Sequence, residues 1–261
     1  MIRIEKITAQ LKTDFIGREI IYFEKLSSTS TTAIEQAERD VKEGTTIVAE
    51  AQTKGKGRLE RRWVSPKGGV WLSIILRPHM SPEDAAKITL TTAVAAAKTL
   101  RKLYGLNAEI KWPNDVLIDG RKVCGILTEA SLKSRTVNYV VVGIGINVNF
   151  SLNALSQDLE ATATTLKEVL QKEIDIEELI CVLLKEFEEC YERFKRKEFG
   201  VLLSEWRSMA SFLGKMVEVI SLTENFHGIA VDVDENGALI VNLENGTERK
   251  IVAGDVTVRE A

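Results

Sequence analysis

The chain has 261 residues, with 35 Lys+Arg against 38 Asp+Glu and a formal net charge of −3. With 44% apolar residues it can bury a sizeable core, and its length fits one large unit or a large unit with a small one. The balanced charge excludes a chain that binds nucleic acid over its whole surface, so any polyanion site must be local. No apolar run approaches the roughly 18–20 residues of a bilayer crossing. The start, MIRIEKITAQ, lacks the basic-then-apolar pattern of a secretory signal. Cys124, Cys181 and Cys190 are odd in number and without CxxC spacing, and His79 and His227 lie far apart in sequence. The expectation is a cytoplasmic protein with buried free thiols, no disulfide frame and no metal site of its own.

In chain order, Ile20 to Phe23 reads as a strand, and the hydroxyl run Ser27 to Thr32 caps a helix reaching to about Lys42. Thr45 to Ala51 is a β-branched strand leading into a basic, glycine-rich loop, and Val70 to Leu76 a buried strand. Ser81-Pro82-Glu83-Asp84 opens a helix that continues to about Tyr104. Strand residues Ile110 to Ile118 are interrupted by Pro113 and followed by the Asp119-Gly120 hairpin turn. Strands Val123 to Ala130 and Val137 to Val148 complete a mixed, mostly antiparallel sheet. Apolar residues at helical spacing from Asp175 to Lys197, with Asp175 and Glu178 at a capping-box-like start, predict a long core helix. Phe199 to Met209 predicts another. Short strands follow at Val217 to Ser221, Gly228 to Asp232, Leu239 to Leu243 and Lys250 to Val252, with hairpin signals at Asn236-Gly237 and Asn245-Gly246. The predicted class is α+β, divided into residues 1–212 and a small β-barrel-like unit at 213–261.

Two strings carry chemistry. Residues 54–62 hold five bases and one acid within Gln52-Thr53-Lys54-Gly55-Lys56-Gly57-Arg58-Leu59-Glu60-Arg61-Arg62-Trp63. Glycine lets backbone N–H groups approach a phosphate, and Lys and Arg add charge. It is not a Walker A loop, because position 50 is Glu rather than the first glycine and no Ser or Thr directly follows Lys56. The other is Lys111-Trp112-Pro113-Asn114-Asp115, in which a lysine at a strand end can clamp an anion. VVVGIGINV at Val140 to Val148 lacks the last glycine of a dinucleotide fingerprint and reads as a buried strand with close-packing glycines, ending at Asn147.

Taken together, these strings resemble the biotin protein ligases. The family's loop, approximately GRGRxGRxW, stands here at Gly55 to Trp63, and its KWPND is unaltered at Lys111 to Asp115. GIL-E and GIGIN-V match at Gly125 to Glu129 and Gly143 to Val148, and the family's Ser-Thr-Asn corresponds to Ser28-Thr29-Ser30. Lys56 replaces an Arg, Ser30 an Asn, and Glu60 a Gly, which puts an acid and a side chain into the phosphate loop.

The resemblance implies a class II synthetase-like catalytic sheet with an SH3-like β-barrel after it. It implies ATP-dependent formation of biotinyl-5′-AMP and transfer of biotin to a lysine of a biotin carboxyl carrier domain. Lys111 and Arg58 are the implied catalytic residues. Ser28, Thr29, Ser30, Gln52, Lys56, Gly57, Arg58, Lys111 and Gly125 are the implied biotin contacts. ATP falls to Gly55, Lys56, Gly57, Arg58, Arg61, Trp63, Lys111, Asn114 and Asn147, with Arg62 an alternative to Arg61 and Mg2+ accompanying the nucleotide. Residues 53–63 are expected to close over the adenylate. A homodimer is implied, with no membrane partner. Too few residues precede the first matching strand for a helix-turn-helix, so no DNA partner is expected. The alternatives are a lipoate ligase, which shares the fold and chemistry, and an RNA-binding protein, which would show salt-dependent RNA affinity without ATP turnover.

Overall fold

A seven-stranded sheet dominates the computed structural model, which describes residues 1–133, 136–155, 157–220 and 224–258, with Asp158 by its backbone alone. In chain order the elements begin with α1 (Ile4–Gln10), β1 (Ile20–Phe23), α2 (Thr29–Glu38), β2 (Thr46–Ala49), β3 (Val70–Leu76) and α3 (Ala85–Tyr104). Strands β4 (Glu109–Lys111), β5 (Asp115–Ile118), β6 (Arg121–Lys133) and β7 (Thr136–Ile146) follow. The helices α4 (Gln157–Glu160), α5 (Leu166–Leu170), α6 (Ile176–Lys195) and α7 (Phe199–Met209) come next. Last are β8 (Met216–Ile220), β9 (Asn225–Val233), β10 (Leu239–Asn242), β11 (Glu248–Ile251) and β12 (Asp255–Val258). The large sheet is ordered β1-β2-β3-β7-β6-β5-β4, and only β1 and β2 run parallel. The C-terminal strands form an antiparallel sheet ordered β11-β10-β9-β8-β12. The predicted α+β class with a mostly antiparallel sheet is what the chain adopts.

Strand periodicity sorts the core. On β2, β3 and β7, Val48, Val70, Leu72, Ile74, Leu76, Val140 and Val142 join the cluster that contains α3 and α6. Their sequence neighbours Ile47, Ile75, Tyr139 and Val141 pack with Ala33 and Ala37 of α2 on the opposite face. Both faces are covered, so these strands read as continuous apolar runs. The alanines of α3 (Ala93, Ala95, Ala96 and Ala97, all fully buried) leave room for α6 to lie close against it. Asp175 caps α6 by accepting a bond from the Glu178 N–H at 3.0 Å, and Gly105, at φ 65°, ends α3 in the left-handed region. All three cysteines are free and buried, and burial pushes the Cys124 thiol up to about 12.

Helix α2 stops at Glu38 rather than near Lys42. Asp40 takes φ 59°, and the Arg77 guanidinium donates to the Ala37 carbonyl at 2.8 Å and to the Val41 carbonyl at 3.1 Å, so the helix end is satisfied by a side chain from beyond β3. Four elements escape prediction: α1, α4, α5 and β12. Helix α1 is too short to show periodicity, and β12 is an alternating Asp-Val-Thr-Val that gains its identity by pairing with β8. The strand predicted over Val217 to Ser221 is β8, with Ser221 outside the described residues. Asp119 and Gly120 both have positive φ (50° and 73°), as the predicted tight hairpin requires.

The approach to β1 is held by a single carboxylate. Glu188 on α6 is 2% exposed and accepts bonds from the backbone N–H groups of Asp14, Phe15 and Ile16 at 2.8, 2.9 and 2.9 Å. Glu188→Ala should orphan these donors and destabilise the fold by about 3 kcal/mol. The urea midpoint should fall at unchanged slope; an unmoved midpoint would contradict the assignment.

Candidate active site

Directly opposed residues in a sheet point to the same side. The register therefore draws one row across five strands: Trp71, Gly145, Gly125, Asp115 and Lys111. The neighbouring row is Ser73, Gly143 and Leu127. These rows continue the face that α2 covers, but glycines now stand where Val141 and Ile75 fill it further along. The space so cleared is a cavity of about 300 Å³. Gly143 and Gly145 also serve the predicted close packing, since a Cβ on either would collide with Ser30 or Trp63. A Cβ at Gly145 would fall 2.4 Å from Trp63 Nε1, and one at Gly125 would fall 2.9 Å from the same ring. The Trp63 indole therefore lies on a Cβ-free strip and meets Trp71 edge-on at 6.5 Å.

Residues 55–63 form a tight hairpin. The Gly57 N–H donates to the Arg61 carbonyl at 2.7 Å, and the Trp63 N–H to that of Gly55 at 2.9 Å. Gly55 has no alternative, since a Cβ there would lie 2.4 Å from the Trp63 carbonyl oxygen. At the tip Leu59 and Glu60 take φ 53° and 59°, so Glu60 occupies a left-handed position that glycine adopts without cost.

The hairpin's cations face other parts of the chain. One Arg58 nitrogen donates to Asn114 Oδ1 at 3.2 Å, the Gly254 carbonyl at 3.1 Å and Asp255 Oδ1 at 3.1 Å. Arg61 pairs with the other oxygen of Asp255. Burial lowers the Arg58 pKa, and Asp255 and Asp115 oppose that effect. Lys56 meets Glu129 at 3.3 Å, and Arg62 donates to the Thr53 carbonyl at 3.3 Å.

The Lys111–Asp115 turn is anchored from below and above. Trp112 is buried and its Nε1 donates to the Gly237 carbonyl of the C-terminal sheet at 3.0 Å, while Asn114 Nδ2 donates to the Ile126 carbonyl at 2.9 Å. Asp115 is shared by two lysines: Lys111 Nζ at 3.7 Å, and Lys122 Nζ at 2.6 Å, which also sits 4.9 Å above the Trp63 ring. At the far end, Ser28 caps α2, and Thr29 donates to Gln52 Oε1 through its N–H at 2.7 Å and its hydroxyl at 3.1 Å.

Of the predicted residues, Ser28, Thr29, Ser30, Gln52, Lys56, Gly57, Arg58, Arg61, Trp63, Lys111, Asn114, Gly125 and Asn147 line this one cavity, as does Arg62. Gly55 stands behind it in the hairpin stem. Asn147 donates its side-chain nitrogen to the Lys122 carbonyl at 3.4 Å and that of Thr164 at 3.1 Å, tying residues 162–164 along the cavity rim. Sequence reasoning missed Lys122, Asp255 and the lipophilic rim of Leu155 and Leu159. Lys122 carried one signal, standing three positions before Gly125; Asp255 carried none. In sum, six basic side chains (Lys56, Arg58, Arg61, Arg62, Lys111, Lys122) and two acidic ones (Asp115, Asp255) line the cavity. Such a wall recruits anions. Among the described residues, no group of three or more His, Cys, Asp or Glu could hold a metal ion, and no helix is long and apolar enough to cross a membrane.

The signature of the biotin/lipoate A/B protein ligase family matches residues 22–147, which hold the basic hairpin and the strands that floor the cavity. The biotin protein ligase C terminal domain signature matches residues 212–259. The chain belongs to the biotin protein ligase family. It is 38% identical over 247 residues to the bifunctional ligase/repressor BirA of Bacillus subtilis, a match covering 94% of this chain and 76% of that one. Identity to the biotin–[acetyl-CoA-carboxylase] ligase of Paracoccus denitrificans is 33% over 198 residues, covering 75% of this chain and 82% of the other. The biotin protein ligase from Aquifex aeolicus, solved in complex with biotin and ATP, has a TM-score of 0.79 at 30% identity and covers 94% of this chain and 100% of its own.

The contact between hairpin and C-terminal sheet yields a direct check. Asp255→Ala removes the partner of Arg58 and Arg61, and charge-assisted bonds of this kind contribute about 1.5–3 kcal/mol. Tryptic cleavage within residues 55–63 should then quicken by about tenfold or more. An unchanged cleavage rate would show that Asp255 does not hold the hairpin.

Proposed function

We propose that the chain is an ATP-dependent biotin protein ligase whose reaction runs in the cavity beneath the hairpin. A biotin carboxylate oxygen attacks the α-phosphorus of ATP, forming biotinyl-5′-AMP as pyrophosphate leaves. The ε-amine of a carrier lysine then attacks the acyl carbon, and AMP leaves as the amide forms. The first step brings two anions together, a repulsion of about 4 kcal/mol for unit charges at 4 Å and an effective dielectric near 20. Cations fixed between them reverse that term.

Lys111 takes this central place, since it ends β4 on the row that crosses the cavity floor. Arg58, beside Asn114, covers the adenylate from the hairpin side, and Lys56, Gly57 and Arg61 serve the phosphates. Ser28, Thr29, Ser30 and Gln52 receive the polar ring of biotin at the opposite end, with the Gly125 strip beneath. Trp63, Asn114 and Asn147 remain on the nucleotide side of this assignment. The hairpin acts as a lid that excludes water from the mixed anhydride. The wall does not fit a resident metal, because Asp115 and Asp255 are both engaged by cations; Mg2+ belongs to the MgATP substrate, and no step here is routed through it.

The observation that carries this reading is the convergence of six cations and a hydroxyl–amide cluster on one cavity. The reading extends to a biotin carboxyl carrier domain as acceptor and, on family resemblance, to a homodimer without a DNA partner. Buried free thiols support a cytoplasmic location. The catalytic unit is placed at 1–212 and the C-terminal unit at 213–261, with the first C-terminal strand starting at Met216. The test is incubation with biotin, MgATP and a carrier domain, with a parallel lipoate arm. A mass gain of one biotin is expected; a gain of lipoate alone, or salt-dependent RNA binding without ATP turnover, would overturn the reading.

Lys111→Ala should cut biotin-dependent pyrophosphate release by about 10²–10³-fold or more while the thermal transition stays in place; near-normal release would refute its role. Glu60→Gly removes a negative charge beside the phosphates and a left-handed side chain. Exposed charges of this kind act at about 0.5–1 kcal/mol, so KM for ATP should fall by about two- to fivefold. A rise would show that the acid aids binding.

A further inference from the structure

Behind the cavity wall runs a chain of hydrogen bonds whose direction is fixed at both ends. Gln52 Oε1 accepts from the Thr29 backbone N–H at 2.7 Å, which can only donate, so the orientation of the amide is set. Its Nε2 donates to Ser65 Oγ at 2.8 Å, and Ser65 donates onward to the Trp63 carbonyl at 3.1 Å. The Thr29 hydroxyl gives its one proton to Gln52 Oε1 at 3.1 Å. Ser73 Oγ, 2.8 Å from Thr29 Oγ1, must therefore be the donor of that pair. With the Ser73 proton so committed, the 3.2 Å contact between Ser30 and Ser73 has Ser30 as donor. Ser73 is fully buried on β3 and lies behind Ser30 and Thr29, outside the cavity lining. Gly143, opposite it in register, leaves room for this contact, since a Cβ there would fall 2.7 Å from Ser30 Oγ.

The consequence is a fixed polarity at the wall. The Ser30 proton points inward, leaving its lone pairs free, and Thr29 keeps one lone pair. Gln52 keeps one N–H. Two acceptors and one donor are the complement of a cyclic urea, which offers two N–H groups and one carbonyl. We propose that Ser73 is a positioning residue for urea recognition: it touches no substrate, but by taking the proton of Ser30 it holds that hydroxyl as an acceptor beside Thr29, whose own proton is committed to Gln52. The proposal rests on the biotin ligase reading above and adds to it a residue that determines which head group is accepted.

Ser73→Ala removes one heavy atom, frees the Ser30 proton to face the cavity and deprives Thr29 of its donor; Ser73→Cys keeps a hydrogen-bonding atom there, larger than oxygen and a weaker donor. The assay is pyrophosphate release with biotin, with desthiobiotin (urea intact, thioether absent) and with a biotin derivative whose urea nitrogen is acylated. Ser73→Ala should raise KM by about tenfold for biotin and desthiobiotin alike, with kcat and KM for ATP unchanged. Ser73→Cys should fall between. The acylated derivative, lacking one N–H, should lose clearly less. Ser30→Ala added to Ser73→Ala should cost little more than either alone. Unchanged KM, an equal loss for all three substrates, or a loss that falls on kcat or ATP would overturn the role of Ser73. Absence of biotin turnover in the unaltered protein would overturn the ligase reading, and the assignment with it.

Discussion

Like charges repel, and this molecule concentrates six basic side chains on one cavity wall while its net charge is −3. The rest of the structure depends on how that repulsion is contained. Asp115 bridges Lys111 and Lys122, and Asp255 bridges Arg58 and Arg61. Each carboxylate thus holds two cations in place. Neither cancels them, so a net positive wall is preformed and needs little reorganisation when anions arrive. The two carboxylates come from different sheets, which makes the C-terminal strands part of the electrostatic frame of the site. Trp112 reinforces the junction with its bond to Gly237.

The cavity itself follows from the period of the strands. On the face covered by α2, β3 and β7 carry Ile75 and Val141, then Ser73 and Gly143, then Trp71 and Gly145. On β7 apolar bulk gives way to glycine over these steps, and the helix ends its cover there with Ser28, Thr29 and Ser30 at its N-terminal turn. One sheet face therefore passes from core to binding site without a break in its hydrogen bonding. On the opposite face, packed on α3, β3 and β7 stay apolar with Val70, Leu72, Ile74, Leu76, Val140 and Val142.

Local chemistry was legible and long-range pairing was not. Strand β3 and helix α7 lie at the residues their apolar patterns predict, and Asp175 and Asp119-Gly120 act as cap and turn as their residue types require. The residues assigned to the site from the basic hairpin, the Lys111–Asp115 turn and positions Gly125 and Asn147 all reach one cavity apart from Gly55. Helix α2 was overextended because its end is set by Arg77, distant in sequence. Asp255 contacts Arg58 across 197 positions, and Ser73 meets Ser30 across 43. No window of sequence contains such a pair, so neither could be found from spacing. The glycines of VVVGIGINV are packing positions, as their place in a buried strand suggests, but which side chains they admit, Ser30 and Trp63, depends on partners distant in sequence.

The account stands on the placing of a carboxylate and an α-phosphate between Lys111 and the basic hairpin. A crystal structure with biotinyl-5′-AMP bound tests this most directly. The account predicts the acyl phosphate within hydrogen-bond reach of Lys111 Nζ, with the ring of biotin against Thr29 and Gln52. An adenylate seated with its phosphate away from Lys111, or with the nucleotide in the Thr29–Gln52 end, would contradict it.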